Sequence, residues 1–442
     1  MAIRTYKYRI YPDKEQQAKL ARFFGCARKM YNLCLDWWIK EYKRYKETGE
    51  PMGKVPDYGY YKKMEEYAYL SECDSVALQQ ARIHFEKAIK AFLDSKNGKR
   101  NGNSGFPKFK KKGVCKDSYT TFNNSGAIRI TNDGKHITLP KIGKVKIVLH
   151  RTFCGKIKSV NVTRAKSGRF FVSITVETGE TEKPLINRLA RIDNLSVVGL
   201  DMSMAEFAVP SGAPDDTTPK YVRQYRKHER KLRRLARRVS RKRMTGEKGN
   251  RTYSKNREKA KRKYAKASER VADIRKDFVC KAALHYVRRY DVVVLEDIDM
   301  KAMSQSLKLG KSVMDLGFGK FRQWLEWEGM KYDTYIHYTD RWFASSQTCS
   351  DCGYVYKGTK DLKVREWVCP ECGAVHDRDA NAAENLKNKF LNDFYSTAGA
   401  AGIHACGDAT STLREAIARV VSLKQEAHGC CGPSEARDFS RG

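Results

Sequence analysis

Four cysteines and three carboxylates are the residues of this sequence best suited to chemistry. Between Ser345 and Leu386 the chain reads SSQTCSDCG and then CPECGAVHDRDANAAENL, with sixteen residues separating Cys352 from Cys369. Cys349, Cys352, Cys369 and Cys372 thus make two CxxC knuckles at the spacing of a zinc site. Four thiolates close a tetrahedral shell around Zn²⁺, and Gly353 and Gly373 allow the tight turn after each knuckle. His376-Asp-Arg-Asp379 follows and runs into a helix-forming segment, so a structural metal clip is expected beside a pair of carboxylates. Asp201 closes the apolar run Leu195-Ser-Val-Val-Gly-Leu, and Glu296 closes Asp291-Val-Val-Val-Leu. A carboxylate ending a buried strand is costly unless it is paired or metal-bound. Adjacent parallel strands would bring Asp201 and Glu296 to one edge of a sheet. Three facing carboxylates attract Mg²⁺, a hard ion that prefers oxygen ligands. Two such ions about 4 Å apart activate a water and stabilise the leaving oxygen of a phosphodiester. Metal-dependent phosphodiester hydrolysis is the expected chemistry. Single carboxylates end many strands harmlessly, so the grouping carries this reading.

The composition points to a polyanionic partner. The 442 residues include 87 Lys and Arg against 51 Asp and Glu, a net charge of +36 that far exceeds a solubility surplus. The 24 Tyr, 18 Phe and 6 Trp exclude wholesale disorder and suit base stacking. The length allows two to four domains with real cores. Nine further cysteines (Cys26, Cys34, Cys73, Cys115, Cys154, Cys280, Cys406, Cys430 and Cys431) are scattered. No apolar leader follows Met1 and no run approaches a membrane span, so a reducing, cytoplasmic setting with free thiols and no membrane contact is expected.

The elements that must position these residues follow from periodicity. Residues 2–11 alternate apolar and basic side chains, as a half-exposed strand does. Asp13, with Gln16 at the capping-box position, starts a helix through about Lys46. Two more helices are expected at roughly 58–68 and 74–95, giving a small helical domain whose aromatics pack its core. Asn97–Gly105 reads as a flexible linker, and Phe106-Pro-Lys-Phe-Lys-Lys-Lys112 as a basic stretch for phosphate contact through Lys108 and Lys110. Residues 118–178 hold six short strands with hairpin turns at Asn132-Asp-Gly134 and Lys166-Ser-Gly168, which suggests a small barrel that residues 2–11 join. Between 220 and 266 there are 22 Lys or Arg and only three acidic residues, on a sparse helical stripe broken at Gly246 and Gly249. Two antiparallel basic helices gripping a nucleic-acid backbone are the expectation. Residues 300–314 read as a mobile loop, 319–328 as a helix and 334–338 as a strand. Beyond about 391 the chain reads as a tail with one amphipathic piece from Leu413 to Leu423.

SVVGLDMSMAEFAV, VVVLEDI, the two knuckles running into HDRDANAAENL, and GFPKFKKK together resemble the TnpB family of transposon-carried RNA-guided nucleases, relatives of type V CRISPR effectors. The resemblance runs to about residue 390. It implies an α/β multidomain chain with a RuvC-like (RNase H-type) nuclease domain at 191–344 and 376–390. The zinc ribbon inserted at 345–375 would be a target-nucleic-acid-binding module. A wedge β-barrel would occupy 1–13 and 113–190, a helical recognition domain 14–112, and a mostly flexible tail 391–442. Asp201, Glu296 and Asp379 match the family's catalytic acids and would hold Mg²⁺, two ions in all; the position of Asp379 two residues before Asn-Ala-Ala favours it over Asp377. Arg378 would contact phosphate, and Gln79, Asn123 and Asn124 fall where family members read the short motif beside the target, although Asn123-Asn124-Ser also suits a plain turn.

The implied partners are a guide RNA and double-stranded target DNA, bound by a monomer with one RNA. Base pairing would carry the sequence while the protein grips backbones. The function expected is RNA-guided cutting of double-stranded DNA. Three other readings share parts with it: a miniature type V CRISPR effector, a guide-dependent binder without cleavage, and a protein-only transposase or resolvase of RNase H type. The intact acid triad argues against the second, and RNA that copurifies would exclude the last.

Overall fold

The strand that opens the chain lies in the middle of its sheet. In the computed structural model the residues described are 3–99, 102–124, 126–179, 195–212, 218–220, 224–242, 244–246, 252–305, 310–361 and 363–402. They divide into two units, Met1–Glu182 and Lys183–Gly442. In the first, Ile3–Tyr11 (β1) buries Tyr8 and Ile10 and sits between two neighbours in a seven-stranded antiparallel sheet. The other strands are Asp117–Phe122 (β2), Arg129–Ile130 (β3), His136–Leu139 (β4), Gly143–Val148 (β5), Lys156–Arg164 (β6) and Phe170–Glu177 (β7). Their order is β2-β6-β7-β1-β5-β4-β3. The helices at 14–96 therefore interrupt one continuous sheet, in keeping with the alternation in residues 2–11. Among the described residues β2 and β3 remain edge strands with no ladder between them.

The inserted helices are Lys14–Thr48 (α1), Tyr58–Lys62 (α2) and Ser75–Lys96 (α3). A capping box closes the start of α1: the Asp13 carboxylate accepts from Gln16 N, and the Gln16 side chain accepts from Asp13 N. Gly49 ends the helix in the left-handed region at φ 74°. The expected second helix shortens to α2 followed by a 3-10 stretch, Glu65–Glu72. Leu20, Phe24, Met30, Leu35, Leu78 and Phe85 pack with Tyr8, Val160, Val172 and Ile174, so helices and sheet share one core.

The second unit is built on Val197–Asp201 (β8), Val209–Pro210 (β9), Val292–Glu296 (β12) and Tyr335–Thr339 (β13). Their order is β13-β12-β8-β9, with β8, β12 and β13 parallel and β9 antiparallel to β8. Both faces are covered, which explains the continuous apolar runs in β8 and β12. Val198, Leu200, Val293 and Leu295 face the helices Lys255–Val287 (α5) and Phe318–Tyr332 (α8). Val292 and Val294 face Leu386 and Phe390 of the last helix, Arg378–Gly402 (α9). The basic segment forms Gln224–Ser240 (α4), which runs into α5 through a hairpin, Met244–Thr245 (β10) with Thr252–Tyr253 (β11).

Two expectations change here. The described residues of the expected loop at 300–314 are helical, Met300–Gln305 (α6) and Gly310–Leu316 (α7), while 306–309 lie outside the described residues. Asp299 starts α6 by accepting from Ala302 N. Buried Asp315 at the end of α7 accepts from Tyr225 N and Arg275, tying α7 to α4 and α5. The helix α9 also runs past residue 391, where a tail was expected, and continues to Gly402 with Phe390 stacked on Phe394. The piece from Leu413 to Leu423, and Cys406, Cys430 and Cys431, lie outside the described residues. Among the described residues no helix is long and apolar enough to cross a membrane, and the cysteines are free thiols.

Candidate active site and zinc centre

Period-two alternation places the first two carboxylates. Leu200 pairs with Leu295 in parallel register, so Asp201 and Glu296 stand side by side at the carboxyl ends of β8 and β12. They point to the same face as Val292 and Val294, the face covered by α9. Along α9, Asp379, Ala383, Leu386 and Phe390 recur at helical steps, which sets Asp379 over the strand ends. The helix can come this near because β8 carries Gly199: a Cβ there would stand 2.0 Å from the Ala383 carbonyl oxygen and 2.9 Å from Lys387 N.

Electrostatics register the convergence. Burial raises the Asp201 carboxyl, the charges of Asp379 and Glu296 raise it further, and Arg378 opposes them; the result is pushed up to about 7. Burial followed by Asp297 raises Glu296 as well. Asp379 is held from two sides. Ser203 Oγ donates to its Oδ2 at 2.8 Å, and Arg365 Nη1 donates to both its oxygens at 3.1 and 3.0 Å. Asp377 plays a different part, its Oδ1 accepting from Asp379 N and Ala380 N as the cap of α9. The buried Nε of Arg378, beside this cluster, has no hydrogen-bond partner. That orphaned donor fits an anionic ligand.

The four cysteines converge more tightly. Their sulfurs all lie within 4.8 Å of one another, the one such group of His, Cys, Asp and Glu ligand atoms among the described residues. Cys349 to Cys372 is 3.7 Å and Cys352 to Cys369 is 3.6 Å. Sulfurs about 2.3 Å from a tetrahedral zinc would be about 3.8 Å apart, so the set fits zinc. The two knuckles are built alike: Gly353 N donates to Cys349 O and Gly373 N to Cys369 O, with both glycines left-handed. The three carboxylates are not within that same distance of one another. Their gathered charge suits a hard divalent cation, and Asp201, Glu296 and Asp379 would supply its oxygens.

Sequence reasoning missed how the clip and the acidic site are joined. The strands Glu366–Val368 (β14) and Val375–Asp377 (β15) close the clip, and β15 runs directly into α9. Asn381 Oδ1 accepts from Ser350 N, and its Nδ2 donates to Thr348 O. Buried Asn385 donates to Ser345 O and Thr348 O. The spacing of four between the asparagines of NAAEN was the available signal. His376, buried against Trp367, brings Nε2 to 3.0 Å from Cys349 Sγ, within reach for an N–H donating to a thiolate. Ser203 and Arg365 carried no sequence signal.

The expected nucleic-acid contacts of the first unit divide into exposed and engaged side chains. Gln79 on α3, Lys108 and Asn124 are exposed. Lys110 lies with Nζ 3.6 Å from the centre of the Tyr31 ring, and burial lowers its pKa. The Asn123 side chain donates to Ile128 O and Ile157 O and accepts from Ile128 N, so its amide holds the turn together.

Fold and site define a class: an α/β protein with acids gathered at the carboxyl edge of a parallel sheet and a Cys₄ clip spliced before the helix that completes the site. Matches to known families agree with that division. Residues 318–386 match the family described as "Cas12f1-like, TNB domain", residues 173–307 "Probable transposase", and residues 1–47 "Helix-turn-helix domain". The described part of the last segment is one strand and one long helix. A "Putative RNA-guided DNA endonuclease" of Streptomyces pristinaespiralis is 33% identical over 93% of this chain and 93% of its own. "Putative RNA-guided DNA endonuclease InsQ" of Escherichia coli (strain K12) is 26% identical, covering 87% and 91%. The solved "Cas12f1-sgRNA-target DNA complex" superimposes with a TM-score of 0.48 at 12% identity, covering 88% of this chain and 99% of that one. The chain belongs to the TnpB family of RNA-guided DNA endonucleases.

Proposed function

We propose that this chain binds a guide RNA and cuts double-stranded DNA matched to it, beside a short adjacent motif, at Asp201, Glu296 and Asp379. The observation that supports this most directly is the gathering of those three carboxylates, with the Asp201 carboxyl pushed up to about 7. In this reading the second unit is an RNase H-type nuclease domain with an inserted zinc ribbon. The first unit combines a wedge barrel with a helical recognition domain, and the particle is a monomer with one RNA.

Asp201, Glu296 and Asp379 would hold two Mg²⁺ ions, which supply an activated water and charge stabilisation for the leaving oxygen. The protein's own part is positional. Gly199 sets the distance between β8 and α9, Ser203 orients Asp379, and Arg378 offers its free donor to a phosphate. Arg365 forms an ion pair with Asp379. Cys349, Cys352, Cys369 and Cys372 hold structural zinc, and Gln79, Lys108, Lys110, Asn123 and Asn124 are the candidate nucleic-acid contacts in the first unit. The engaged amide of Asn123 favours Gln79 and Asn124 as base readers. The test is to sequence the RNA that copurifies and to programme the complex with it. Asp201→Ala should end cleavage of matched DNA while RNA and DNA binding persist; residual cutting would sink the assignment.

A further inference from the structure

The turn after β13 holds a tryptophan out in water. Trp342 is 87% exposed, more than any other large apolar side chain among the described residues. Its neighbours are anchored. Arg341 Nε donates to Asp297 O at 3.1 Å and Arg341 Nη2 reaches Asp297 Oδ2 at 3.3 Å. Asp297 is itself fixed, because Arg322 donates to its Oδ1 at 2.9 Å and to Ile298 O at 3.0 Å. Phe343 packs into the apolar cluster of β12 and α9. The turn is closed by Trp342 N donating to Asp340 Oδ1 at 2.7 Å. An indole is strongly driven out of water unless something holds it there. Here both flanking residues do so.

The position is specific. Thr339, the last residue of β13, pairs with Glu296. Three residues at about 3.8 Å each separate Trp342 from Thr339, and paired strands are about 4.8 Å apart. The Trp342 Cα therefore lies within about 16 Å of the Glu296 Cα, on the sheet edge that carries the acids. Stacked nucleotides follow one another about 3.4 Å apart, so that reach is about five nucleotides.

We propose that Trp342 is a stacking platform whose indole packs on the face of a nucleobase in the strand led to Asp201, Glu296 and Asp379, and so positions that strand for cleavage. The role rests on the nuclease reading above. Trp342 is a positioning residue, and base–aromatic stacking of this kind tolerates any sequence, as a guide-programmed enzyme requires.

The test uses the full chain with its guide RNA and matched DNA. Trp342→Ala should slow cleavage at limiting DNA by about 5- to 150-fold, the range of one base stack, whereas Trp342→Phe keeps most of the rate. Melting temperature and guide binding should not move, since the side chain stands in solvent. Abasic sites are then walked through the five nucleotides on each side of the cut. One position should slow the wild type by a similar factor and have no further effect on Trp342→Ala. The proposal is overturned if Trp342→Ala cuts as fast as the wild type, or if every abasic position slows both proteins equally. Cutting by an Asp201→Ala complex would instead overturn the carboxylate assignment beneath it.

Discussion

Asp201→Asn should stabilise the protein while ending its activity. The carboxyl rises from an ordinary 3.8 to about 7 because it is buried beside Asp379 and Glu296. Each unit corresponds to about 1.4 kcal/mol, so the ionised group opposes folding by at most about 4 kcal/mol. Solvent still reaches part of the side chain, which lowers the expected effect to about 2–4 kcal/mol. The sign follows from proton binding. Between about pH 4 and pH 7 the folded state holds a proton that the unfolded state has released, so stability falls as pH rises through that interval. Above about pH 7 the whole destabilisation is present. In buffer with no divalent ion beyond bound zinc, Asp201→Asn should melt roughly 4–12 °C above the wild type at pH 8. The gap should close towards pH 4, and added Mg²⁺ should narrow it at pH 8. Scanning calorimetry across that pH range is the assay. A variant no more stable than the wild type at pH 8, or a gain that ignores pH, would refute the electrostatic reasoning.

Gly199→Ala should destabilise the second unit by at least about 3 kcal/mol, because its Cβ would meet the Ala383 carbonyl at 2.0 Å; a loss of unfolding free energy below about 1 kcal/mol in denaturant titration would show the approach is not fixed there. His376→Ala should weaken zinc binding about 10- to 100-fold by removing the contact to Cys349, measured by competition with a chromophoric chelator. Unchanged affinity would make the histidine only a packing residue. Asp377→Ala should cost about 1 kcal/mol as a lost helix cap and leave cleavage largely intact. Asp379→Ala should abolish cleavage with binding retained, and the reverse pattern would exchange their roles.

What could be read from the sequence had a period or a fixed spacing. The knuckles, the carboxylates closing β8 and β12, and the long stripe of α1 all repeat at intervals that backbone geometry sets. The helices α6 and α7 did not show, because they are short and polar. The packing of α7 depends on Asp315 meeting Arg275 and the Tyr225 amide, partners 40 and 90 residues away. The reach of α9 past residue 391 was hidden by Ala and Gly, which give no amphipathic stripe. His376, Arg365 and Ser203 are ordinary residues until the fold places them against a sulfur or a carboxylate. Asn123 shows the opposite case: its type suited base reading, and the structure engages its amide in a turn.

The direct passage from β15 into α9 bears on how metals would be assigned in this enzyme. Asp377 ends the last strand of the clip and caps the helix that begins one residue later. Asn381 and Asn385 then bind the first knuckle to the same helix. Stripping the sulfur-bound ion would let that helix fray at the turn bearing Asp379. A dose-response curve with a thiophilic chelator would then pass for a catalytic zinc requirement, although in the proposed reading the four sulfurs hold only structural zinc. By the same linkage, an oxidant or electrophile aimed at the cysteines would act as a remote off-switch on the proposed acid site without binding there.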